Sequence, residues 1–194
     1  WIKDFLSHWS QRVCVNSVKS ERGEVTSGIP QGSVIGPILF LMYINDLPRH
    51  VQSHIKLFAD DTKVFARNDD DTAMATLQDD LDRIHEWSTN WQMRFHPEKC
   101  SVMRVGNPKT DRKYHMRGQD AQGEQIVVEL AESEVEKDLG VLIDKGLTFK
   151  NHVNQATPKA NRILGVIRRS FDFLTPVVFI QLYKSLVRPI LEYG

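Results

Sequence analysis

Apolar residues spaced three and four apart mark the helices of this chain, and alternation marks its strands. Ile2, Phe5, Leu6 and Trp9 share one face of a helical segment from Ile2 to Trp9. Gln11 to Val18 alternates, with Val13, Val15 and Ser17 on one side, and reads as a strand. Glu21-Arg22-Gly23-Glu24 is the expected turn, with the chain returning through Val25. A glycine-punctuated loop, Ser27 to Gly32, leads into a helix to about Asn45, with Pro37 near its first turn, where a missing N–H costs least. Leu47-Pro48 closes that helix. His54–Ala59 and Thr62–Arg67 are apolar-rich strands flanking Asp60-Asp61, which reads as a hairpin.

Met74, Leu77, Leu81, Ile84, Trp87 and Trp91 form one stripe of a long helix starting near Asp71, a suitable cap. Ser101 to Val105 is a short strand. Asn107 to Glu124 is polar, with two glycines and a proline, and is expected to be a surface loop or loose hairpin. Val135 to Ile143 contains a further strand. Phe149, Val153, Ala156, Ala160, Ile163, Leu164 and Ile167 mark a third helix, which Pro158 is expected to interrupt or kink, at about 3 kcal/mol for an interior proline. Thr175-Pro176 opens a last helix expected to stop at Pro189. Strands and helices intermixed with hairpins, then an all-helical end, give an α+β class.

The chain has 194 residues, 41% hydrophobic and 26% charged, an ordinary globular balance. Total charge is zero, but its distribution is uneven. Nine acidic and three basic residues lie between Asp60 and Asn90, against eight basic and two acidic between Lys145 and Gly194. A basic tail beside an acidic segment suits a nucleic-acid enzyme with a metal site, although two solvated faces give the same pattern. The longest apolar run, Ile38 to Ile44, is seven residues, too short for a bilayer, so no membrane partner is expected. No signal peptide is read at Trp1-Ile2-Lys3-Asp4. Cys14 and Cys100 fit no metal spacing and are expected to be free thiols in a reducing compartment.

Phe58-Ala59-Asp60-Asp61 is the sharpest candidate for chemistry. Two aspartates in a turn are often only turn formers, because Asp bonds its own backbone. Adjacent carboxylates on an apolar hairpin also suit Mg²⁺, which takes oxygen ligands and commonly uses one or two carboxylates plus substrate phosphates. Gly28 and Gly32 permit close backbone approach to a ligand, and Gln31 offers both a donor and an acceptor.

These pieces recur in an order that resembles one family. Ser27-Gly28-Ile29-Pro30-Gln31-Gly32-Ser33-Val34-Ile35-Gly36-Pro37, then Leu39-Phe40 and Tyr43-Ile44-Asn45-Asp46-Leu47, resemble the nucleotide-contacting motif of reverse transcriptases from retrotransposons without long terminal repeats. The Phe58–Asp61 hairpin follows at the expected distance. Trp87, Trp91, Phe95, Pro97, Lys99, Cys100 and Met103 look like the family's next helix and lysine-containing motif. Lys137-Asp138-Leu139-Gly140-Val141, with Asp144, Leu147 and Phe149, resembles its primer-gripping hairpin. Lys159, Leu164-Gly165, Arg169, Phe171, Leu182-Tyr183-Lys184, Val187-Arg188-Pro189 and Leu191-Glu192-Tyr193-Gly194 look like the start of the thumb. Trp1, Phe5-Leu6, Gln11 and Val13 match the segment before the Pro30-Gln31-Gly32 motif.

The resemblance implies a partial polymerase palm over residues 1–148, an antiparallel sheet with helices on one face, and the start of a helical thumb over 149–194. It implies RNA-templated DNA synthesis with an RNA template, a DNA primer and a deoxynucleotide, inside the cell, in nucleus or cytoplasm. Asp60 and Asp61 would hold part of a two-ion Mg²⁺ site. Ser27, Gly28, Pro30, Gln31, Gly32 and Phe58 would meet nucleotide or template, and Lys159, Arg162, Arg169 and Lys184 the nucleic-acid backbone. Phe58 packs beneath the primer end or fills the core; Lys99 protonates leaving pyrophosphate or is a surface lysine. The family's other essential aspartate belongs to a motif upstream of residue 1, so this stretch alone is expected to be inactive. A non-catalytic nucleic-acid-binding remnant of a decayed element, to which Pro158 would also point, is the alternative.

Overall fold

The computed structural model describes residues 1–26, 28–30, 32–108, 111–119 and 123–194. They form two compact units, Trp1–Ala66 and Arg67–Gly194. The helical end therefore shares a unit with the strands that precede it. Helices and strands are mixed as expected, and among the described residues the strands pair in two-stranded ladders.

The first unit opens with α1 (Ile2–Phe5), a single turn rather than a helix to Trp9. So short a helix has little cooperativity, and His8 sits at φ 62°. Ring packing replaces helical bonding here. Trp1 stacks on Phe5 at 5.7 Å, and Phe5 meets Trp9 edge-on at 6.0 Å. β1 (Ser10–Gln11), β2 (Cys14–Val15), β3 (Val18–Lys19) and β4 (Gly23–Glu24) make a hairpin whose turn is Asn16-Ser17, not Glu21–Glu24. Both turn residues have positive φ, 48° and 67°. That is the type I′ pattern, whose twist matches the strands and in which asparagine is at home.

α2 (Gly36–Ile44) carries Pro37 in its first turn, as expected. A 3₁₀ turn, Leu47–His50, follows, and Ile44 and Leu47 are buried. β5 (His54–Phe58) and β6 (Asp61–Phe65) then form the expected hairpin.

The second unit is built on α3 (Asp71–Asn90). Its cap is Asp70, one residue earlier than expected, whose carboxylate accepts the Thr72 and Ala73 N–H groups at 2.9 and 3.2 Å. Met74, Ile84 and Trp87 are buried, as the stripe requires. Asp80 is buried too and pairs with Arg83 at 3.1 Å. β7 (Ser101–Val102) is shorter than the expected strand and later pairs in parallel with β10 (Ala131–Glu132). Within the polar stretch lies a regular strand, β8 (His115–Gln119), paired with β9 (Gln125–Glu129). Tyr114 and Met116 are buried. Gly118 is a packing glycine, since a Cβ there would lie 2.6 Å from Pro97 Cγ.

β11 (Val135–Asp138) and β12 (Val141–Asp144) form a hairpin turning at Leu139-Gly140. The Asp144 carboxylate then organises the chain, accepting N–H groups from Gly146, Thr148 and Phe149 and the Thr148 hydroxyl at 2.7–3.1 Å. The Thr148 N–H is the main cause holding the Asp144 carboxyl below the usual carboxylate range.

α4 (Lys150–Ser170) runs unbroken through Pro158, contrary to expectation. Pro158 is exposed, so the backbone carbonyl it leaves unpaired faces water rather than a core. α5 (Pro176–Leu182), capped by Thr175, continues through a π turn (Tyr183–Val187) into α6 (Arg188–Glu192). Pro189 thus starts a helix instead of ending one. The wider π turn resets the bonding, so Pro189 falls where no N–H is required. Ala160, Ile167 and Val187 are the buried centre of this helical end, with Ile163, Leu164, Leu174, Phe179, Leu182, Tyr183 and Ile190 packed around them.

Candidate active site

The β5–β6 register sets the geometry of the aspartates. Phe58 pairs with Asp61, so the turn is Ala59-Asp60, and Asp61 is the first residue of β6. Ala59 adopts φ 50° and Asp60 does not have positive φ, as in a type II′ turn, where glycine is preferred at the first position. An alanine there is strained by about 1–2 kcal/mol. Ala59→Gly is therefore expected to raise the stability of the first unit by up to that amount, read as a higher urea midpoint. An unchanged or lower midpoint would show the turn to be relaxed already.

Phe58, Asp60 and Asp61 come together at this tip, all exposed; Phe58 is 62% exposed and does not fill a core. Alternation places His54, Lys56, Phe58, Asp61, Lys63 and Phe65 on the exposed face, with Lys56 opposite Lys63 and the His54 ring stacked on Phe65 at 5.4 Å. Ile55, Leu57, Thr62 and Val64 face the other way. The donor set suits Mg²⁺: two hard carboxylates at an open tip, with room for phosphate and water. Among the described residues no third carboxylate, histidine or cysteine joins them.

In the preceding loop, Gly28 and Gly32 have φ of 92° and 80°, conformations only glycine adopts freely, and the space beyond each is open. Ser27 and Gln31 lie outside the described residues. Pro30 is half-buried and accepts the Ser33 hydroxyl at 2.8 Å, while Ser33 Oγ accepts the Gly36 N–H at 3.0 Å. Ser33 thus ties the loop to the start of α2, a role its presence in the motif did not reveal. A Cβ at Gly36 would lie 2.7 Å from Ser33 Oγ, so a larger residue there would displace the serine that ties the loop.

The remaining candidates belong to the second unit. Lys99 ends a 3₁₀ turn, Pro97–Lys99, and is exposed. Lys159, Arg162, Arg169 and Lys184 are exposed. Arg162 and Arg169 are seven residues apart on α4, hence within about 20° of one face, opposite Ala160 and Ile167. By contrast Lys145 bonds Glu134 at 2.6 Å and Arg188 bonds Glu192 at 2.7 Å, so these two cations are already engaged. The Leu139-Gly140 turn has φ of 46° and 95°. It also carries contacts that nothing in the local sequence signals: the Tyr193 hydroxyl donates to the Leu139 carbonyl at 2.7 Å.

The family described as reverse transcriptase (RNA-dependent DNA polymerase) matches residues 1–167. The chain is 30% identical to the RNA-directed DNA polymerase from mobile element jockey of Drosophila melanogaster, over all of this chain and 22% of that protein. It is 27% identical to the probable RNA-directed DNA polymerase from transposon X-element of the same species, over all of this chain and 21% of that one. The jockey polymerase of Drosophila funebris matches at 27%, over all of this chain and 22% of its own length. The chain thus spans about a fifth of these relatives. No solved structure matches it. With the family's pattern matched over residues 1–167 and relatives aligned over the whole chain, this protein belongs to the reverse transcriptase (RNA-dependent DNA polymerase) family.

Proposed function

We propose that this chain carries part of the nucleotidyl-transfer centre of a retrotransposon RNA-directed DNA polymerase, with residues 1–148 as part of the palm and 149–194 as the start of the thumb. The observation that carries it is the exposed Asp60-Asp61 pair on a strained two-residue turn; strain of that kind persists where the surrounding structure has a use for it. In the reaction the primer 3′-hydroxyl gives its proton to solvent, its oxygen bonds the α-phosphorus of a deoxynucleotide, and the bond to the bridging oxygen breaks to release pyrophosphate. Mg²⁺ bound here would stabilise the attacking and leaving oxygens. Asp60 and Asp61 would supply part of its protein oxygens, and Phe58 packs against the terminal primer nucleotide. Gly28, Pro30 and Gly32, with Ser27 and Gln31, accommodate the incoming nucleotide and template. Lys99 offers a proton to the departing pyrophosphate. The Leu139-Gly140 turn holds the primer strand. The test is primer extension by Asp60 and Asp61 variants in a complete polymerase.

A second, separable reading concerns binding. The Arg162 and Arg169 stripe, with Lys159 one turn before Arg162 and Lys184 exposed on the π turn, is suited to a nucleic-acid backbone, which releases counterions when neutralised. The Arg162→Ala, Arg169→Ala double variant is expected to bind primer–template duplex about tenfold more weakly at low salt. Its log–log salt slope should be shallower by up to about 2. Arg168 points about 100° from Arg169, so Arg168→Ala should have the smaller effect. Equal affinity and slope for double variant and parent, titrated at two salt concentrations, would remove the stripe from the interface.

A further inference from the structure

The tip of the β11–β12 hairpin is held by residues far along the chain. Tyr193 donates its hydroxyl to the Leu139 carbonyl at 2.7 Å. Its ring covers Gly140, where a Cβ would lie 3.2 Å from Tyr193 Cε1. His152, in the first turn of α4, joins strand to strap. The Leu142 N–H points at His152 Nδ1 at 3.4 Å, and His152 Nε2 lies 3.0 Å from the Tyr193 carbonyl. A nitrogen that accepts carries no proton, so the proton belongs on Nε2, which donates to Tyr193. Gly194 continues the same contact, lying against Val141 and His152.

What these contacts hold is a strained turn. Leu139 is 40% exposed and adopts φ 46°, where asparagine or glycine would sit without strain. An exposed apolar side chain in a disfavoured conformation persists only if its surroundings over-determine it. Here the Tyr193 hydroxyl bond and the ring over Gly140 do so from one side, and the His152 bridge fixes Tyr193 itself.

We infer that Tyr193 and His152 are positioning residues: they lock the Leu139-Gly140 turn in the shape that receives the recessed 3′ end of a primer on its template. The inference rests on the reading of this hairpin as the primer-holding element, and it assigns the locking to the Tyr193 strap. Neither residue touches the nucleic acid; each acts through the turn.

The experiment compares the 194-residue chain with its Tyr193→Phe and Leu139→Gly variants. Binding is measured to a recessed primer–template and to a blunt duplex of equal length, with amide exchange at Gly140 and Val141. Tyr193→Phe keeps the ring and loses only the hydroxyl bond. It is expected to speed exchange at the turn and weaken recessed-end binding about fivefold, the share of one hydrogen bond, with blunt binding unchanged. Leu139→Gly removes the strain, so its thermal midpoint should rise while its preference for the recessed end falls. A merely structural contact would move both in the same direction. If wild type prefers the recessed end and Tyr193→Phe retains that preference in full, the inference is overturned and the primer-holding reading survives. If wild type itself makes no distinction between the two duplexes, the primer-holding reading fails, and the inference with it.

Discussion

Asp60→Ala is expected to abolish primer extension when this segment replaces the matching part of the Drosophila melanogaster jockey polymerase. The expected loss is at least about a thousandfold, since metal-borne charge stabilisation is worth several kcal/mol and each 1.4 kcal/mol is tenfold. Asp61→Ala should lose activity on the same scale. Asp60 is exposed at a turn, so neither expression nor the thermal midpoint should change. Asp172→Ala, an exposed carboxylate elsewhere, is the control and should be neutral. The measurement is single-nucleotide incorporation on a primed RNA template at saturating Mg²⁺. Activity of Asp60→Ala within threefold of the parent chimera would remove the hairpin from the chemistry.

Trp87→Ala acts on the opposite quantity. Trp87 is 2% exposed, the largest fully buried side chain, on the inner stripe of α3. Deleting a buried indole removes its burial and leaves a void, together about 3–5 kcal/mol. Such a loss is a large part of a domain's whole stability, so much of the second unit should unfold at 37 °C. Trp91, one turn on and 42% exposed, stands 6.3 Å from Trp87 ring to ring, and Trp91→Ala should cost far less. Urea titration followed by far-ultraviolet circular dichroism separates the two. Equal midpoints for both variants would mean that α3 is not the spine of this unit.

That α3 and the β5–β6 hairpin were legible in the sequence follows from the number of residues voting together. α3 holds five of the six stripe positions within its twenty residues, with Trp91 just past its end, and β5–β6 alternates on both sides of a turn. The first hairpin was misread because Glu21-Arg22-Gly23-Glu24 contains a glycine and Asn16-Ser17 does not. Asparagine nevertheless enters the left-handed region readily, and the I′ turn asks for positive φ at both positions. β8 was hidden because only Met116 and Gly118 show its period among polar residues, and Gly118 looks like loop punctuation until Pro97 is seen beside it. Pro158 reads as a costly interior proline and Pro189 as a stop because local sequence does not show the remedies the fold supplies, an outward-facing site and a π turn.

The candidate site divides along the same line. Asp60, Asp61, Phe58 and the glycines of the loop lie in contiguous motifs, so order and spacing pointed to them. The link from Tyr193 to Leu139 joins residues 54 positions apart. No local pattern encodes a contact of that separation. Likewise, Lys145 and Arg188 counted as equals of Arg162 and Arg169 in the charge balance, and only their ion pairs set them apart.

Pro158 has a mechanical consequence. α4 is 21 residues, about 30 Å of rod. Its first turns are tied to β12 through His152, while the stretch from Ala160 to Ile167 is seated in the helical core. Between these moorings the proline removes one rung of the hydrogen-bond ladder, on the side that faces water. Bending stiffness is lowest at that rung, so the rod has a built-in hinge. A rotation of the core-seated half would be taken up first at Pro158, within the limit set by Tyr193, which ties the end of α6 back to the hairpin tip.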